Sequence, residues 1–401
     1  MQKPDIGLKI KFIHQAIGMF RGGGEHWALN IACGLKDLNC DVNFLTGRPL
    51  IGKIRYQLEK FETEYVTIPY LRDFAQRVSN KGNSIKFISS KKRQDFLKRS
   101  FNFLGNLIHQ YYDNMSQDLV YNYLKKHSKD FDAVLLHSMP GLGSRMVDEL
   151  NIPTVIMLPG PPNEKYKNEI SRFNAVISIG QAIDSISKIR PDAVNILPGV
   201  DIDLFKPIES NIREIYNIDQ NDKVLIFVGR FVPIKNLPFL IDAINQVVTI
   251  DNKIKLLFVG EGPLEEYLKM KVNQYGINQN VIFTGKIEYN DLAKYYSAAD
   301  IFVITSTYDN YPLVVLEAMS CQLPVIGANV GGIPQQIQHG FNGLLFEKNN
   351  QQQLEEAILT LINDKQRCIQ MGKINRKKVL QGFSWQERAK KVKQIFENII
   401  I

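Results

Sequence analysis

Short apolar runs alternate with amphipathic segments along most of the chain. In the first half the runs predict five strands, at Leu8–His14, Val42–Leu45, Ala133–His137, Thr154–Leu158 and Ala175–Ile179. Residues 25–38 carry apolar side chains near helical spacing and predict a helix. Strands that alternate with helices are typical of a parallel, doubly wound α/β sheet.

The alternation restarts after a segment with prolines at both ends, Pro198 and Pro207. Five strands are predicted there, at Val224–Val228, Lys255–Val259, Val281–Thr284, Ile301–Ile304 and Pro324–Ile326. The helices between them are predicted at Leu237–Val248, Leu264–Tyr275, Asn290–Ser297 and Leu313–Ser320. The pattern predicts two consecutive Rossmann-like domains, residues 1–204 and 205–383, with parallel sheets facing a central ligand cleft.

Residues 70–123 break this alternation and predict helices inserted on the surface of the first domain. The stretch from Lys81 to Arg99 holds seven cations and a single anion, Asp95, with Phe87 and Phe96 among them. The whole chain of 401 residues has a formal net charge of +8. This charge is compatible with nucleic acid, an anionic membrane surface or a phosphorylated substrate.

Several classes of protein are disfavoured by what the sequence lacks. It has no run of about 18 apolar residues, so no transmembrane helix is predicted, and Met1–Asp5 shows no signal-peptide pattern. The four cysteines form no C-x-x-C pair and are predicted to be structural thiols in a reducing compartment. The six histidines show no metal-ligand spacing. We therefore expect a cytoplasmic protein without a bound metal.

The polar loop that follows the strand Ile301–Ile304 is the first candidate site. Pro312 is predicted at the first helical position, where its missing N–H costs nothing. The free amides of Leu313 and Val314 at such a helix start can bind an anion. Glu317 lies on the same helix face as Leu313, and its carboxylate can accept hydrogen bonds from two ribose hydroxyls. The alternative is a structural strand–loop–helix in which Glu317 is a solvated side chain.

Three further clusters carry candidate chemistry. Arg230 and Lys235 follow the strand Val224–Val228 on a loop stiffened by proline, and can clamp a diphosphate, although a cation pair at a strand end is more often surface charge. Gly22 and Gly23 precede the first helix and allow a ligand to approach the backbone. His137 ends a strand, where a structural role is the more common one.

Together these clusters resemble the large family of retaining glycosyltransferases with the GT-B fold, often called family 4. The resemblance covers nearly the whole chain and is strongest from Val224 to Phe346. The family has two glutamates in an E-x7-E motif that flank the sugar donor. Asp309 stands at the first position and Glu317 at the second, so the first carboxylate is one methylene shorter here.

The resemblance implies a role for each matched residue. Arg230 and Lys235 would bind the diphosphate, Gly22 and Gly23 would form the glycine-rich loop, and His137 would lie near the transferred sugar. The implied donor contacts also include Gly262, Lys286, Ile287, Asp309, Asn310, Tyr311, Pro312, Leu313, Val314 and Glu317. The last segment, residues 384–401, would form a helix that crosses back to the first domain.

The implied reaction moves a sugar from a UDP- or GDP-linked donor to a lipid or saccharide acceptor, with retention and without a metal or other cofactor. Asp309, Arg230, Lys235 and His137 would be catalytic. The implied partners are the donor and the acceptor, and nucleic acid is not among them. The basic, aromatic stretch from Lys81 to Leu107 separately suggests an anionic membrane surface on which the protein would dock peripherally. Two alternatives stay open: a non-catalytic nucleotide-sugar-binding protein, and a GT-B sugar-nucleotide epimerase.

Overall fold

The structure is a computed structural model that describes residues 7–14, 23–47, 61, 63–66, 117–138, 140–142, 145–161 and 163–400. The chain forms two compact units. The first comprises Met1–Ser178, Ile183–Val194 and Ala389–Ile401, and the second comprises Ile179–Ala182 and Asn195–Arg388. The chain thus enters the main part of the second unit at Asn195 and leaves it after Arg388, whereas the sequence places these transitions at 205 and 384.

The first unit is built around a seven-stranded sheet. Its strands are β1 (Lys9–His14), β2 (Asp41–Gly47), β3 (Thr63–Val66), β4 (Ala133–His137), β5 (Thr154–Leu158), β6 (Ala175–Ser178) and β7 (Val194–Asn195). They lie in the order β3-β2-β1-β4-β5-β6-β7. The pairings from β3 to β6 are parallel, for example Ile10 beside Val42 and Ala133.

The second unit contains a six-stranded sheet in which every pairing is parallel. Its strands are β8 (Lys223–Val228), β9 (Ile254–Val259), β10 (Val281–Gly285), β11 (Ile301–Ile304), β12 (Val325–Ala328) and β13 (Gly343–Phe346). Their order is β10-β9-β8-β11-β12-β13. The predicted architecture of two parallel α/β sheets is confirmed.

Helices connect these strands. In the first unit and at its boundary they are α1 (Gly23–Asp37), α2 (117–127), α3 (Lys167–Ile170) and α4 (Ala182–Ile186). In the second they are α5 (Ile212–Ile215), α6 (Leu237–Ile250), α7 (Glu265–Tyr275), α8 (Leu292–Ala298), α9 (Leu313–Ser320), α10 (Ile333–Gln336), α11 (Gln351–Ile362) and α12 (Lys365–Gly382). The last helix, α13 (Trp385–Ile400), begins in the second unit and continues in the first.

Central strands read as unbroken apolar runs because helices cover both faces of a parallel sheet. Every residue of β5 and of β11 is buried. In the second unit, aromatic rings continue this core toward the end of the strands: Phe231 lies 5.8 Å from Phe258 and 6.2 Å from Phe283, centroid to centroid, in edge-to-face contacts. Phe231 therefore anchors the loop that follows β8.

Among the described residues, no helix is both long and apolar enough to pass through a bilayer. All four cysteines are free thiols, and burial raises the pKa of the Cys321 thiol, as suits a structural cysteine. The predicted helical insertion lies outside the described residues from residue 70 to residue 116, and so does the whole basic stretch from Lys81 to Leu107.

Candidate active site

The candidate site in the second unit is formed by loops at the carboxyl ends of neighbouring strands. β8 and β11 pair in parallel, with Leu225 beside Ile301. The loop after β8 carries Arg230 and Lys235, and the loop after β11 leads through Asp309 into α9. Parallel strands place these loops at one edge of the sheet, which is where doubly wound folds bind ligands. The structure thus brings the two predicted clusters together.

Arg230 is exposed because the residue after it anchors the loop. Phe231 is fully buried, and its amide donates to the carbonyl of Glu261 at 2.9 Å. Gly262 has to be small here, since a Cβ at this position would lie 2.5 Å from the carbonyl oxygen of Phe231. Burial of the phenylalanine leaves the Arg230 guanidinium in solvent at the sheet edge, available to an anionic ligand.

Lys235 is held at its backbone by the neighbouring loop. It ends a 3₁₀ turn, Pro233–Lys235, and its carbonyl accepts a hydrogen bond from Thr305 Oγ1 at 2.9 Å. The amide of Thr307 donates to the carbonyl of Ile234 at 2.8 Å. These bonds tie the loop after β8 to the loop after β11 and fix the point from which the Lys235 side chain extends.

The Lys235 ammonium contacts the carboxylate of Asp309. Nζ of Lys235 lies 2.6 Å from Oδ2 of Asp309, and the two side chains are 21% and 18% exposed. The Asp309 carbonyl accepts from the amide of Gly332 at 2.8 Å. Gly331 adopts a φ of +54°, and a Cβ there would lie 1.9 Å from the Asp309 carbonyl oxygen. The sequence did not predict this ion pair between two separately assigned residues.

Asn310 and Tyr311 complete the loop. The Asn310 amide donates from Nδ2 to the carbonyl of Ile179 at 2.8 Å, within the second unit. The Tyr311 hydroxyl is buried without a hydrogen-bond partner among the described residues. Burial raises the pKa of this phenol, so it stays protonated and can donate.

The helix α9 begins at Leu313, and Pro312 precedes it as the N-cap residue with an extended ψ of 122°. The prediction that Pro312 is the first helical residue was wrong by one position. Its carbonyl accepts from the amide of Val315 at 3.2 Å and from Nε2 of Gln336 at 3.0 Å, which holds the proline outside the helix. The amides of Leu313 and Val314 have no acceptor inside the helix and remain suited to an anion.

Glu317 is buried, with 6% of the residue exposed, so its interpretation as a solvated residue is wrong. Oε2 of Glu317 accepts a hydrogen bond from the Tyr296 hydroxyl at 2.8 Å. Tyr296 is fully buried in α8, and burial together with this carboxylate raises the pKa of its phenol. Sequence analysis missed Tyr296, since a tyrosine among the apolar residues of a short helix gives no functional signal.

The loops after β9 and β10 carry the other predicted donor contacts. The amide of Gly260 donates to the carbonyl of Gly285 at 2.9 Å, and Gly285 has a φ of +71°. Lys286 is exposed and Ile287 is partly buried. Because β10, β9, β8 and β11 are successive parallel strands, Gly262, Lys286 and Ile287 lie along the same carboxyl edge as Arg230 and Lys235.

Two predicted site elements, His137 and the glycine-rich loop, belong to the first unit. His137 ends β4, and although the residue is partly exposed, its Nε2 is buried. Desolvation lowers the pKa of the imidazole from 6.5 to about 4, so the ring is neutral at pH 7. Gly23 begins α1, two residues before the predicted helix start, and Gly22 lies outside the described residues.

A glycine-to-alanine pair tests whether the Gly331–Gly332 turn shapes the site. A Cβ on Gly332 would lie 1.8 Å from the carbonyl oxygen of Asn310, so we expect Gly332→Ala to displace the loop and lower donor affinity at least tenfold. At Gly382, nothing lies within 4 Å of an added Cβ, so Gly382→Ala should leave affinity unchanged. Titration of both variants with nucleotide sugar decides this, and an unchanged affinity in Gly332→Ala would contradict the prediction.

Comparison with known proteins gives a family for most of the second unit. The family described as Glycosyl transferases group 1 matches residues 208–378. N-acetyl-alpha-D-glucosaminyl L-malate synthase of Bacillus anthracis is 31% identical over 195 residues, 49% of either chain. A GDP-mannose-dependent alpha-(1-6)-phosphatidylinositol monomannoside mannosyltransferase of Mycobacterium tuberculosis is 28% identical over 205 residues, 49% of this chain and 53% of the relative. The similarity thus spans about half the length of these relatives.

Solved structures are similar over nearly the whole chain. The Anabaena protein Alr3699/HepE in complex with UDP superposes with a TM-score of 0.73 at 20% identity, covering 98% of this chain and all of that one. A glycosyltransferase from Rickettsia africae gives a TM-score of 0.77 at 17% identity, covering 98% and 99% of the two chains. At these identities the similarity shows the fold. The chain thus has the GT-B fold of these solved structures, and its residues 208–378 match the family described as Glycosyl transferases group 1.

Proposed function

We propose that the chain is a retaining glycosyltransferase that uses a nucleoside-diphosphate sugar and no divalent metal. The observation that carries this proposal is the convergence at one sheet edge of Arg230, Lys235 and the amides of Leu313 and Val314. Two cations and a helix N-terminus provide the charge that a departing diphosphate needs.

The proposed reaction breaks the bond between the anomeric carbon and the diphosphate oxygen. The acceptor hydroxyl oxygen bonds to the anomeric carbon from the same face, and its proton passes to the departing phosphate. Stabilising the charge on this leaving group is the main electrostatic task. His137, neutral at pH 7, would contact the transferred sugar as a hydrogen-bonding group rather than as a cation.

The donor is either a UDP-sugar or a GDP-sugar. HepE was solved with UDP, and the mycobacterial relative is named for GDP-mannose, so the relatives support both bases. The proposed acceptor is a lipid or a saccharide, since the mycobacterial relative is named for a phosphatidylinositol mannoside.

A donor panel tests the proposal. Thermal unfolding with UDP- and GDP-linked sugars should show stabilisation by one donor class, because a ligand that binds the folded state raises the melting temperature. The selected donor, mass-tagged in the sugar, should then label a lipid or oligosaccharide pool with its anomeric configuration retained. If no nucleotide sugar stabilises the protein, the donor-site assignment is wrong.

A non-catalytic nucleotide-sugar-binding protein is the second candidate. The observation that favours it is the ion pair between Asp309 and Lys235. Asp309 stands where the E-x7-E motif has a glutamate, and its carboxylate is already bound to the lysine. Stabilisation by a donor without transfer or hydrolysis would support this candidate. Turnover in a purified sample would exclude it.

The basic segment from Lys81 to Leu107 is proposed to dock the protein on the cytoplasmic face of an anionic membrane. Its lysines would contact lipid phosphates, and Phe96, Phe101 and Phe103 would enter the interface. We expect the protein to float with vesicles that contain anionic lipid, and binding should fall as salt rises. Flotation that does not depend on either anionic lipid or salt would contradict this proposal.

A further inference from the structure

The ion pair between Asp309 and Lys235 joins two loops whose backbones are already held by hydrogen bonds. The Lys235 backbone is bound by Thr305, and the Asp309 carbonyl by Gly332. A lysine side chain has four rotatable carbon–carbon bonds, so an ammonium at its end is poorly positioned without a partner. An aspartate, with one methylene between its carboxylate and the backbone, is a short and stiff partner.

The Lys235 ammonium can bind Asp309 and a ligand at the same time. Lys235 Nζ has three N–H donors, and one of them is directed at Oδ2 of Asp309 at 2.6 Å. Among the described residues, no other hydrogen bond or ion pair of Nζ is found. Two donors therefore remain for a ligand while the pair is intact, and a phosphate oxygen is the group that suits them.

We propose, on the basis of the proposed function, that Asp309 is the positioning residue of Lys235. Its carboxylate directs the ammonium at the nucleoside diphosphate and does not contact the transferred sugar. Although it is one methylene shorter than glutamate, the Asp309 side chain reaches Lys235 directly. Asp309 thus contributes to recognition of the diphosphate, whichever sugar is attached.

The inference is tested with ligands that lack the sugar. Affinities for UDP, GDP and the matching nucleotide sugar are measured by calorimetry for the wild-type chain, Asp309→Ala, Lys235→Ala and the double variant. We expect Asp309→Ala to weaken nucleoside diphosphate and nucleotide sugar by the same factor, about five- to tenfold. In the Lys235→Ala background, Asp309→Ala should cause no further loss and should recover part of the affinity, since no ammonium remains to be positioned and the unpaired carboxylate no longer repels the diphosphate.

Two results would overturn the inference. One is an affinity for the nucleoside diphosphate that is unchanged or improved by Asp309→Ala while the affinity for the nucleotide sugar falls, because that places the carboxylate on the sugar. The other is a double variant whose loss of affinity equals the product of the losses in Asp309→Ala and Lys235→Ala. A wild-type chain that binds neither UDP nor GDP would overturn the proposed function as well, so the two failures are distinguishable.

A matched ion pair in the same unit serves as the control. Lys271 Nζ lies 2.7 Å from Oδ1 of Asp242, with side chains 16% and 30% exposed, between α7 and α6. Asp242→Ala removes a comparable carboxylate away from the sheet edge and should leave both affinities unchanged. If Asp309→Ala does not fold, Asp309→Asn is measured in its place, with a smaller loss of the same kind expected because the amide oxygen still accepts from Lys235.

Discussion

Replacing Lys235 by alanine is expected to lower kcat/KM for the donor by about 10²- to 10³-fold, a loss of about 2.7–4 kcal/mol. The ammonium lies at the carboxyl edge of the sheet, on the same loop as Arg230, and carries N–H donors that remain available to a phosphate. Its charge would act on the leaving group as negative charge develops there. Loss of Lys235 also leaves the Asp309 carboxylate without its partner, and this unpaired negative charge repels the diphosphate.

Steady-state kinetics with and without excess chelator measures this effect. We expect turnover to persist in the chelator, because fixed cations and helix amides take the place of a metal ion. Lys271→Ala, which removes a paired lysine elsewhere in the unit, should leave kcat/KM unchanged. A rate that collapses in chelator and returns with Mn²⁺ would show that Lys235 and Arg230 do not provide the main stabilisation of the leaving group.

Replacing Glu317 by alanine is expected to reduce both stability and donor affinity. The buried Tyr296 hydroxyl would lose its acceptor at 2.8 Å and keep only the long contact to the Val314 carbonyl at 3.5 Å, which costs about 1–3 kcal/mol of unfolding free energy. Donor KM should rise as well, because the Glu317 carboxylate would no longer accept hydrogen bonds from the two ribose hydroxyls. Denaturant unfolding and donor kinetics on the same sample measure the two effects separately.

Two further variants distinguish a structural from a functional Glu317. Glu317→Gln keeps an acceptor oxygen for Tyr296 but removes the charge, so it should fold normally and still bind the donor weakly. Tyr296→Phe removes the hydroxyl while the ring packing stays, so it should lower stability with a smaller effect on donor KM. Full activity in a folded Glu317→Gln variant would remove Glu317 from the donor site and leave it a role in packing α8 against α9.

Hydrophobic periodicity was sufficient for the framework of the fold. All ten predicted strands are found within two residues of their predicted ends, because a buried parallel strand must be apolar along its whole length. β3, β7 and β13 were missed. β7 has only two residues, too few to separate from a loop. β3 reads Thr-Glu-Tyr-Val and β13 reads Gly-Leu-Leu-Phe, so polar residues in the one and a leading glycine in the other shorten the apolar run.

The sequence also determined which residue types the candidate site contains. Cations after one strand and a proline before a helix are local patterns, so they can be recognised without knowledge of the fold. The identity of the residue at each position, including the aspartate at 309, is fixed by the sequence alone.

Contacts between distant positions were decided by the tertiary structure. Lys235 and Asp309 are 74 positions apart, and their ion pair exists because β8 and β11 are neighbours in the sheet although β9 and β10 separate them in the chain. Glu317 meets Tyr296 for a related reason, since α8 and α9 flank the same strand, β11. Strand order arises from packing of the whole unit. No local pattern could therefore show that Lys235, predicted to bind the diphosphate, and Asp309, predicted to flank the donor, would form an ion pair with each other.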